Sequence, residues 1–254
     1  MIKIGNAGSD EHGKYTGGAA GDQTGGEVCL RDWYNRPWNV VLRPKSAYVA
    51  ADMVRAMRAA CVNDNVGYDQ YQRTTLYTQA KAVGWDITKI AIPCETDCSA
   101  LIAVCANAAG IRVSKDIYTG NMVRALKATG QFEVLMASKY LTSDQYLQAG
   151  DVLVYEGHHT AMALQYGAQA YYRNGWNYDY NGWFYSPNGG RSYHKDCWQT
   201  INGPRYYFNG DGYAVTNWQV ISGRDYYFEP RAGHPLECAL YKTDDDGAQG
   251  PGEF

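Results

Sequence analysis

The chain has 254 residues, a formal net charge of -3 at pH 7 and a sequence pI near 5.9. Without a basic surplus, nucleic acid and anionic membrane are not expected partners. No run of about 18 apolar residues occurs, so membrane insertion is not expected either. The start, Met1-Ile2-Lys3-Ile4-Gly5-Asn6, lacks the apolar core of a signal peptide, so the protein is expected to be made in, and at first to stay in, the cytoplasm. The seven cysteines are an odd number in a chain too large for a disulfide scaffold, and reduced thiols are expected.

Residues 1–45 open the chain as a Gly-rich arm, densest over 5–26, without the strand-to-helix context of a phosphate cradle. The spacing of Val49, Met53, Met57 and Cys61 predicts a helix over 46–62 capped by Ser46. Further helices are predicted over 70–83, 97–109 and 120–129, ending at Gly84, Gly110 and Gly130. After a turn at Ser143-Asp144-Gln145-Tyr146, the runs 151–155 and 160–164 read as strands. Helices first and a strand meander afterwards give an α+β domain over 1–172.

The composition changes near residue 171. Residues 171–241 hold 12 of the 23 Tyr and 4 of the 7 Trp, but only six Leu, Ile or Val, so stacked rings must replace an aliphatic core. Trp198-Gln199-Thr200-Ile201-Asn202-Gly203 returns as Trp218-Gln219-Val220-Ile221-Ser222-Gly223, and Tyr206-Tyr207-Phe208 as Tyr226-Tyr227-Phe228. A looser copy runs from Trp176 through Trp183 to Gly190. Each copy reads as a hairpin that buries its face only against its neighbours, so 173–241 is expected to be a small all-β repeat module. Residues 242–254 read as a frayed tail, and Asp244-Asp245-Asp246-Gly247 lacks calcium-loop spacing.

Chemistry concentrates at Glu95-Thr96-Asp97-Cys98-Ser99-Ala100-Leu101. Thr96 or Asp97 caps a helix whose first turn holds Cys98, where free N–H groups and the dipole favour a thiolate. A depressed thiol pKa is expected there, as a nucleophile requires. Cys105, two turns deeper, reads as core. The base is sought in His158-His159, which opens a strand; neighbouring strand residues face opposite ways, so only one of the two can meet Cys98. No set of Cys, His and Glu at metal-ligand spacing lies nearby, and neither metal nor other cofactor is expected.

Asp97-Cys98-Ser99-Ala100-Leu101 resembles the Asp-Cys-Ser-Gly-Leu motif of NlpC-type cell-wall cysteine peptidases. Leu147-Gln148-Ala149-Gly150-Asp151-Val152-Leu153-Val154-Tyr155 resembles their Leu-x-Pro-Gly-Asp-Leu-Val-Phe-Phe run, and His159-Thr160-Ala161-Met162 stands where they have His-Val-Gly-Ile. The resemblance implies a papain-like α+β fold with Cys98 as nucleophile and His159 as base. Tyr171 stands where the family often has a third catalytic residue, so Gln169 is the candidate to orient His159. Tyr68, Asp97, Ser99 and His158 form the expected substrate-lining set.

The aromatic copies resemble choline-binding, Gly-Trp-type repeats of wall lysins. The resemblance implies that Trp176, Trp183, Trp198, Tyr207, Trp218 and Tyr227 hold wall choline by cation–π attraction, or stack on wall glycan. Together the two resemblances imply a phage endolysin-like peptidoglycan hydrolase, stored in the host cytoplasm and acting on the wall after release. The expected reaction is cleavage of an amide in the stem peptide or cross-bridge. An N-acetylmuramoyl-L-alanine amidase on the same scaffold, or a non-enzymatic wall-binding protein, are the alternatives.

Overall fold

The computed structural model describes residues 1–243 and 249–251. The chain divides into two compact units, Met1–Ala170 and Tyr171–Phe254. Among the described residues no helix is long and apolar enough to cross a membrane. All seven cysteines are free thiols.

The first unit begins with β1 (Lys3–Ala7), β2 (Val28–Asp32) and β3 (Val40–Pro44), followed by α1 (Ala47–Cys61). Next come β4 (Val66–Tyr68), α2 (Thr75–Ala82), β5 (Cys94–Thr96) and α3 (Cys98–Ala108). The unit closes with α4 (Met122–Ala128), β6 (Phe132–Leu135), α5 (Ser138–Leu141), β7 (Val152–Tyr155) and β8 (His159–Ala163). Six strands form one sheet in the order β2-β1-β8-β7-β3-β6, every pair antiparallel. β4 and β5 pair in parallel beside it.

One face of the sheet carries Ile4, Val41, Leu153, Ala161 and Ala163, closed over by Trp33, Trp38 and Leu147. α5 adds Tyr140 and Leu141 to this side, and α1 and α3 cover the other. α1 starts at the Ser46 cap and buries Ala50, Met53, Val54, Met57 and Ala60, a stripe at helical spacing. It packs so close to β1 that a Cβ on Gly5 would lie 2.2 Å from Met57 Cγ. α3 is buried nearly all round, from Cys98 through Ala106, which makes it the central helix of the unit.

The expected Gly-rich arm is not an arm. It contributes β1, β2 and β3, strands of the main sheet, joined by irregular segments over 8–27 and 33–39. β1 offers few apolar residues, because Gly5 and Asn6 occupy positions that helix packing and the site require. α2 also starts later than expected. Asp69 Oδ1 accepts the N–H groups of Tyr71 and Gln72 and holds that stretch as a turn.

In the second unit, β9 (Gly175–Asp179) pairs with β10 (Gly182–Ser186), β11 (Cys197–Thr200) with β12 (Arg205–Phe208), and β13 (Asn217–Ile221) with β14 (Arg224–Phe228). The two-residue turns Asn202-Gly203 and Ser222-Gly223 have positive φ at both positions, as type I′ hairpins require. Phe184, Phe208 and Phe228 are buried, one from each hairpin. Of the expected tail over 242–254, Lys242 and Thr243 continue a strand from Tyr241 that pairs with Gln249–Pro251. The Asp244-Asp245-Asp246-Gly247 run lies outside the described residues.

A buried ion pair ties β3 to the turn before β7. Arg43 Nε and Nη2 donate to Asp151 Oδ1 and Oδ2 at 2.8 and 2.6 Å, and the Asp151 side chain is wholly buried. Arg43→Met strands that carboxylate. Urea unfolding should register a loss of about 3–5 kcal/mol; a loss below about 1 kcal/mol would mean the pair is dispensable.

Candidate active site and aromatic cages

Asp97 is the N-cap of α3. Its Oδ1 accepts the N–H groups of Ser99 and Ala100 at 2.9 and 2.6 Å. Arg73 locks the cap, with Nε 2.6 Å from Asp97 Oδ2 and Nη2 3.0 Å from Ser99 Oγ. Asp97 and Ser99 are thus committed to building the helix start, and both are buried. They do not line the cleft, which corrects their expected place in the substrate-lining set.

The cap fixes Cys98 at the base of a cleft of about 520 Å³. Asn6, Tyr68, His158 and His159 line the same cleft, as do Arg31, Arg36 and the loop residues Gly8, Ser9, Gly13 and Tyr15. His159 opens β8 and is 7% exposed, whereas His158 is exposed and stacks on Tyr155 at 4.1 Å. The backbone N–H of Thr160, the residue after His159, lowers the Cys98 pKa through a hydrogen bond, so the sulfur sits beside the start of β8.

The side chain that meets His159 comes from β1. Asn6 Oδ1 lies 2.9 Å from His159 Nε2 and also accepts the Tyr34 hydroxyl at 3.1 Å. A carbonyl oxygen only accepts, so Nε2 carries the ring proton and Nδ1 keeps the lone pair. Trp38 lies against the ring at a centroid distance of 6.0 Å. Asn6 therefore takes the orienting position expected of Gln169. Gln169 lies beyond the Ala163 end of β8, its N–H on Gln145 O, while His159 opens the other end.

Burial sets the charge state of the pair. It pushes the Cys98 thiol up to about 12, with Asp97 adding to the rise, and pulls His159 down to about 4, helped by Arg36 and Arg31. The expected depressed thiol is thus not what the folded site gives. Desolvation outweighs the helix dipole, and the resting pair is neutral thiol and neutral imidazole.

In the second unit the cross-strand pairs Trp176 with Tyr185, Trp198 with Tyr207 and Trp218 with Tyr227 recur at equivalent positions. The next hairpin adds a third ring to the first two pairs: Tyr206 stands 4.9 Å from Trp176, and Tyr226 stands 4.9 Å from Trp198. Tyr241 meets Tyr227 at 4.8 Å, and Trp218 remains 66% exposed. The Arg205 guanidinium lies 4.3 Å over the Trp198 ring, so this face already holds a cation. Trp183 is 6% exposed and edge-packed on Trp176 and Tyr178; it belongs to the core, which corrects its expected ligand role.

Residues 4–170 match the endolysin-like domain family. The chain belongs to that family. Residues 195–235 also match the choline-binding repeat family, so the endolysin-like domain precedes choline-binding-type repeats. No curated protein sequence gives a significant match. Among solved structures, similarity is found to a modular pneumococcal cell-wall endolysin from phage Cp-1 complexed with choline. Identity is 23% over 36% of this chain and 30% of that one, with a TM-score of 0.23. Choline-binding protein F from Streptococcus pneumoniae shows 20% identity over 44% of this chain and 36% of that one, at 0.22. CbpJ from Streptococcus pneumoniae TIGR4 shows 21% identity over 47% and 39%, at 0.23. The chain thus spans well under half the length of these solved relatives.

Sequence reasoning missed Asn6 in the endolysin-like domain, because a lone Asn among glycines reads as a turn residue. It missed Tyr185, Tyr206 and Tyr226 in the repeats, although the 20-residue phase carried them.

The neutral pair has a measurable signature. With the thiol pushed up to about 12 and His159 pulled down to about 4, the sulfur keeps its proton through neutrality and the free thiolate grows about tenfold per pH unit. Alkylation of Cys98 by iodoacetamide, followed by peptide mass spectrometry, should therefore keep rising from roughly pH 7 to 10. A plateau already reached near pH 7 would show a depressed thiol held as an ion pair with His159.

Proposed function

We propose that the protein is a cell-wall hydrolase of the endolysin kind, with a papain-like cysteine site that cleaves peptidoglycan amides. The observation that carries this reading is the convergence of Cys98, His159 and Asn6 in one cleft, with the nucleophile at the start of a buried helix and the base on the adjoining sheet. A structural cysteine needs neither a capped helix start nor an imidazole of fixed tautomer.

In this mechanism the Cys98 proton passes to His159 Nδ1 as the sulfur attacks the amide carbonyl. The tetrahedral oxyanion forms at the start of α3, within reach of helix N–H groups. The Tyr68 hydroxyl accepts from Gln70 Nε2 at 3.1 Å, which leaves its own proton free to donate to that oxygen. The imidazolium then protonates the leaving amine, and a water, deprotonated by the same nitrogen, hydrolyses the thioester. Asn6 holds the ring in the tautomer that every step needs.

The cleft also supports a peptide substrate. Arg31 and Arg36 stand on its rim, suited to the free carboxylates of stem peptides, which favours a peptide bond as target over the sugar–peptide junction. The aromatic cages fit a quaternary ammonium, so the repeats are read as a tether to choline-bearing walls that raises the local concentration of the hydrolase.

Two experiments test the reading. Cys98→Ser should abolish lysis of purified walls with folding intact. Asn6→Ala should lower kcat roughly tenfold or more, and Gln169→Ala should leave it near wild type. Mass spectrometry of the digest identifies the new termini: new peptide amino groups support the endopeptidase, and free muramic lactyl groups the amidase. Full lysis by a folded Cys98→Ser protein would sink the mechanism.

For the tether, free choline should displace the protein from walls, and Trp176→Ala or Trp218→Ala should weaken choline binding about five- to thirtyfold, the equivalent of about 1–2 kcal/mol per ring. Arg205→Ala should strengthen binding at the Trp198 cage, because it removes the resident cation. Displacement by sugars and not by choline would reassign the cages.

A further inference from the structure

The loop between β1 and β2 forms one wall of the cleft through Gly8, Ser9, Gly13 and Tyr15. Asp10, Glu11 and His12 lie within it, and one ligand-type atom from each comes within 4.8 Å of the others. Asp10 is 4% exposed. Its Oδ1 accepts the N–H groups of His12 and Lys14 at 3.0 and 2.6 Å, but its Oδ2 is buried and has no hydrogen-bond partner. Glu11 repeats the pattern: Oε1 accepts the Ala19 N–H at 2.8 Å, and Oε2 is buried and unpartnered.

Two adjacent carboxylates thus each spend one oxygen on the loop's backbone and keep the other buried and unsatisfied. Buried carboxylate oxygens without donors are costly, and two such anions side by side repel. Among the ion pairs of the described residues neither has a lysine or arginine partner; His12 Nδ1 lies 3.4 Å from Glu11 Oε1, not from Oε2. The chain does not relieve the crowding at Gly18 either, where a Cβ would lie 2.6 Å from Glu11 Oε2 and 2.7 Å from Asp10 Cβ. A residue without a side chain there lets both carboxylates approach.

We propose that Asp10 Oδ2 and Glu11 Oε2 bind a divalent cation, with His12 supplying a third, exposed ligand and water the rest. A cation supplies at one point the compensation that Asp10 Oδ2 and Glu11 Oε2 do not find in the protein. Two oxygens and one imidazole nitrogen suit Mn2+, and the two oxygens alone, with waters, suit Ca2+. The loop is held elsewhere by Gly17 N–H on Asp69 Oδ2 and Gln70 N–H on Tyr15 O. The bound cation therefore stiffens the part of the cleft wall that these bonds leave out. Any effect on hydrolysis rests on the function proposed above; binding itself does not.

The test uses the full chain stripped with EDTA and titrated with Mn2+ or Ca2+; Zn2+ is avoided because it also attacks free thiols. Saturation with at least one of the two should raise Tm by about 5 °C or more, and EDTA should reverse the rise. Calorimetric titration should give a single site that Glu11→Gln weakens at least tenfold, with Asp10→Asn as the second variant. Both amides keep an oxygen for the backbone N–H groups, so both should fold. His12→Ala should weaken Mn2+ binding and leave Ca2+ binding unchanged. No rise in Tm with either ion, or a rise that survives in both Asp10→Asn and Glu11→Gln, would overturn the assignment. The function proposed above fails by a different sign, full lysis by Cys98→Ser.

Discussion

The carboxylate of Asp97 is the constraint on which the site depends. It closes the first turn of α3 through Ser99 and Ala100 and is itself fixed by Arg73. The helix it starts is buried on every side, so its position is set by packing and not by solvent. Cys98 inherits that rigidity. Asp97 also works against a charged sulfur, because its negative charge raises the Cys98 pKa. The residue that caps the helix and fixes Cys98 thus helps keep its thiol protonated.

The imidazole that shares the cleft with Cys98 is held from the two ends of the domain. β8 brings His159, and β1, its neighbour in the sheet, brings Asn6 from 153 residues upstream. The sheet register does the work: Ile4 pairs with Ala163 and Gly5 with Met162, so running the strands antiparallel carries Asn6 towards the His159 end. A one-residue slip would turn Asn6 to the other face and leave Nε2 without its acceptor. Pairing of β1 with β8 is therefore a condition for the hydrogen bond between Asn6 and His159.

This also explains what the sequence could reveal. The helices around Val49–Cys61 and Leu101–Cys105 were legible because an apolar stripe at period 3.6 is a local property. Cys98 and His159 were legible because each stands at the start of its own element. Asn6 was not, since its role arises from a pairing across nearly the whole domain and no local pattern records it. The pKa of Cys98 was misread for a related reason. The helix dipole is visible in a sequence, but the burial that outweighs it is a property of the packed structure. In the repeats the phase was plain, but Trp183 could not be told from Trp176 without knowing which strand face turns inward.

The repeats carry the same tension between structure and ligand in another form. A module with so few aliphatic residues must use aromatic rings as its core, and the rings that remain half-exposed are edge-packed on that core. Trp176 and Trp198 each touch a buried phenylalanine, Phe208 and Phe228, from the following hairpin. Each of these cages is thus completed by the next copy, and a hairpin alone has neither a core nor a site. At the last position, among the described residues, Tyr241 meets Tyr227 but no Trp–Tyr hairpin follows, and Trp218 is left largely exposed. Where Trp198 has its full set of rings, Arg205 already rests on its face, in the geometry that a quaternary ammonium would adopt. The Trp198 face therefore already makes a cation–π contact within the fold, and any other cation there must displace Arg205.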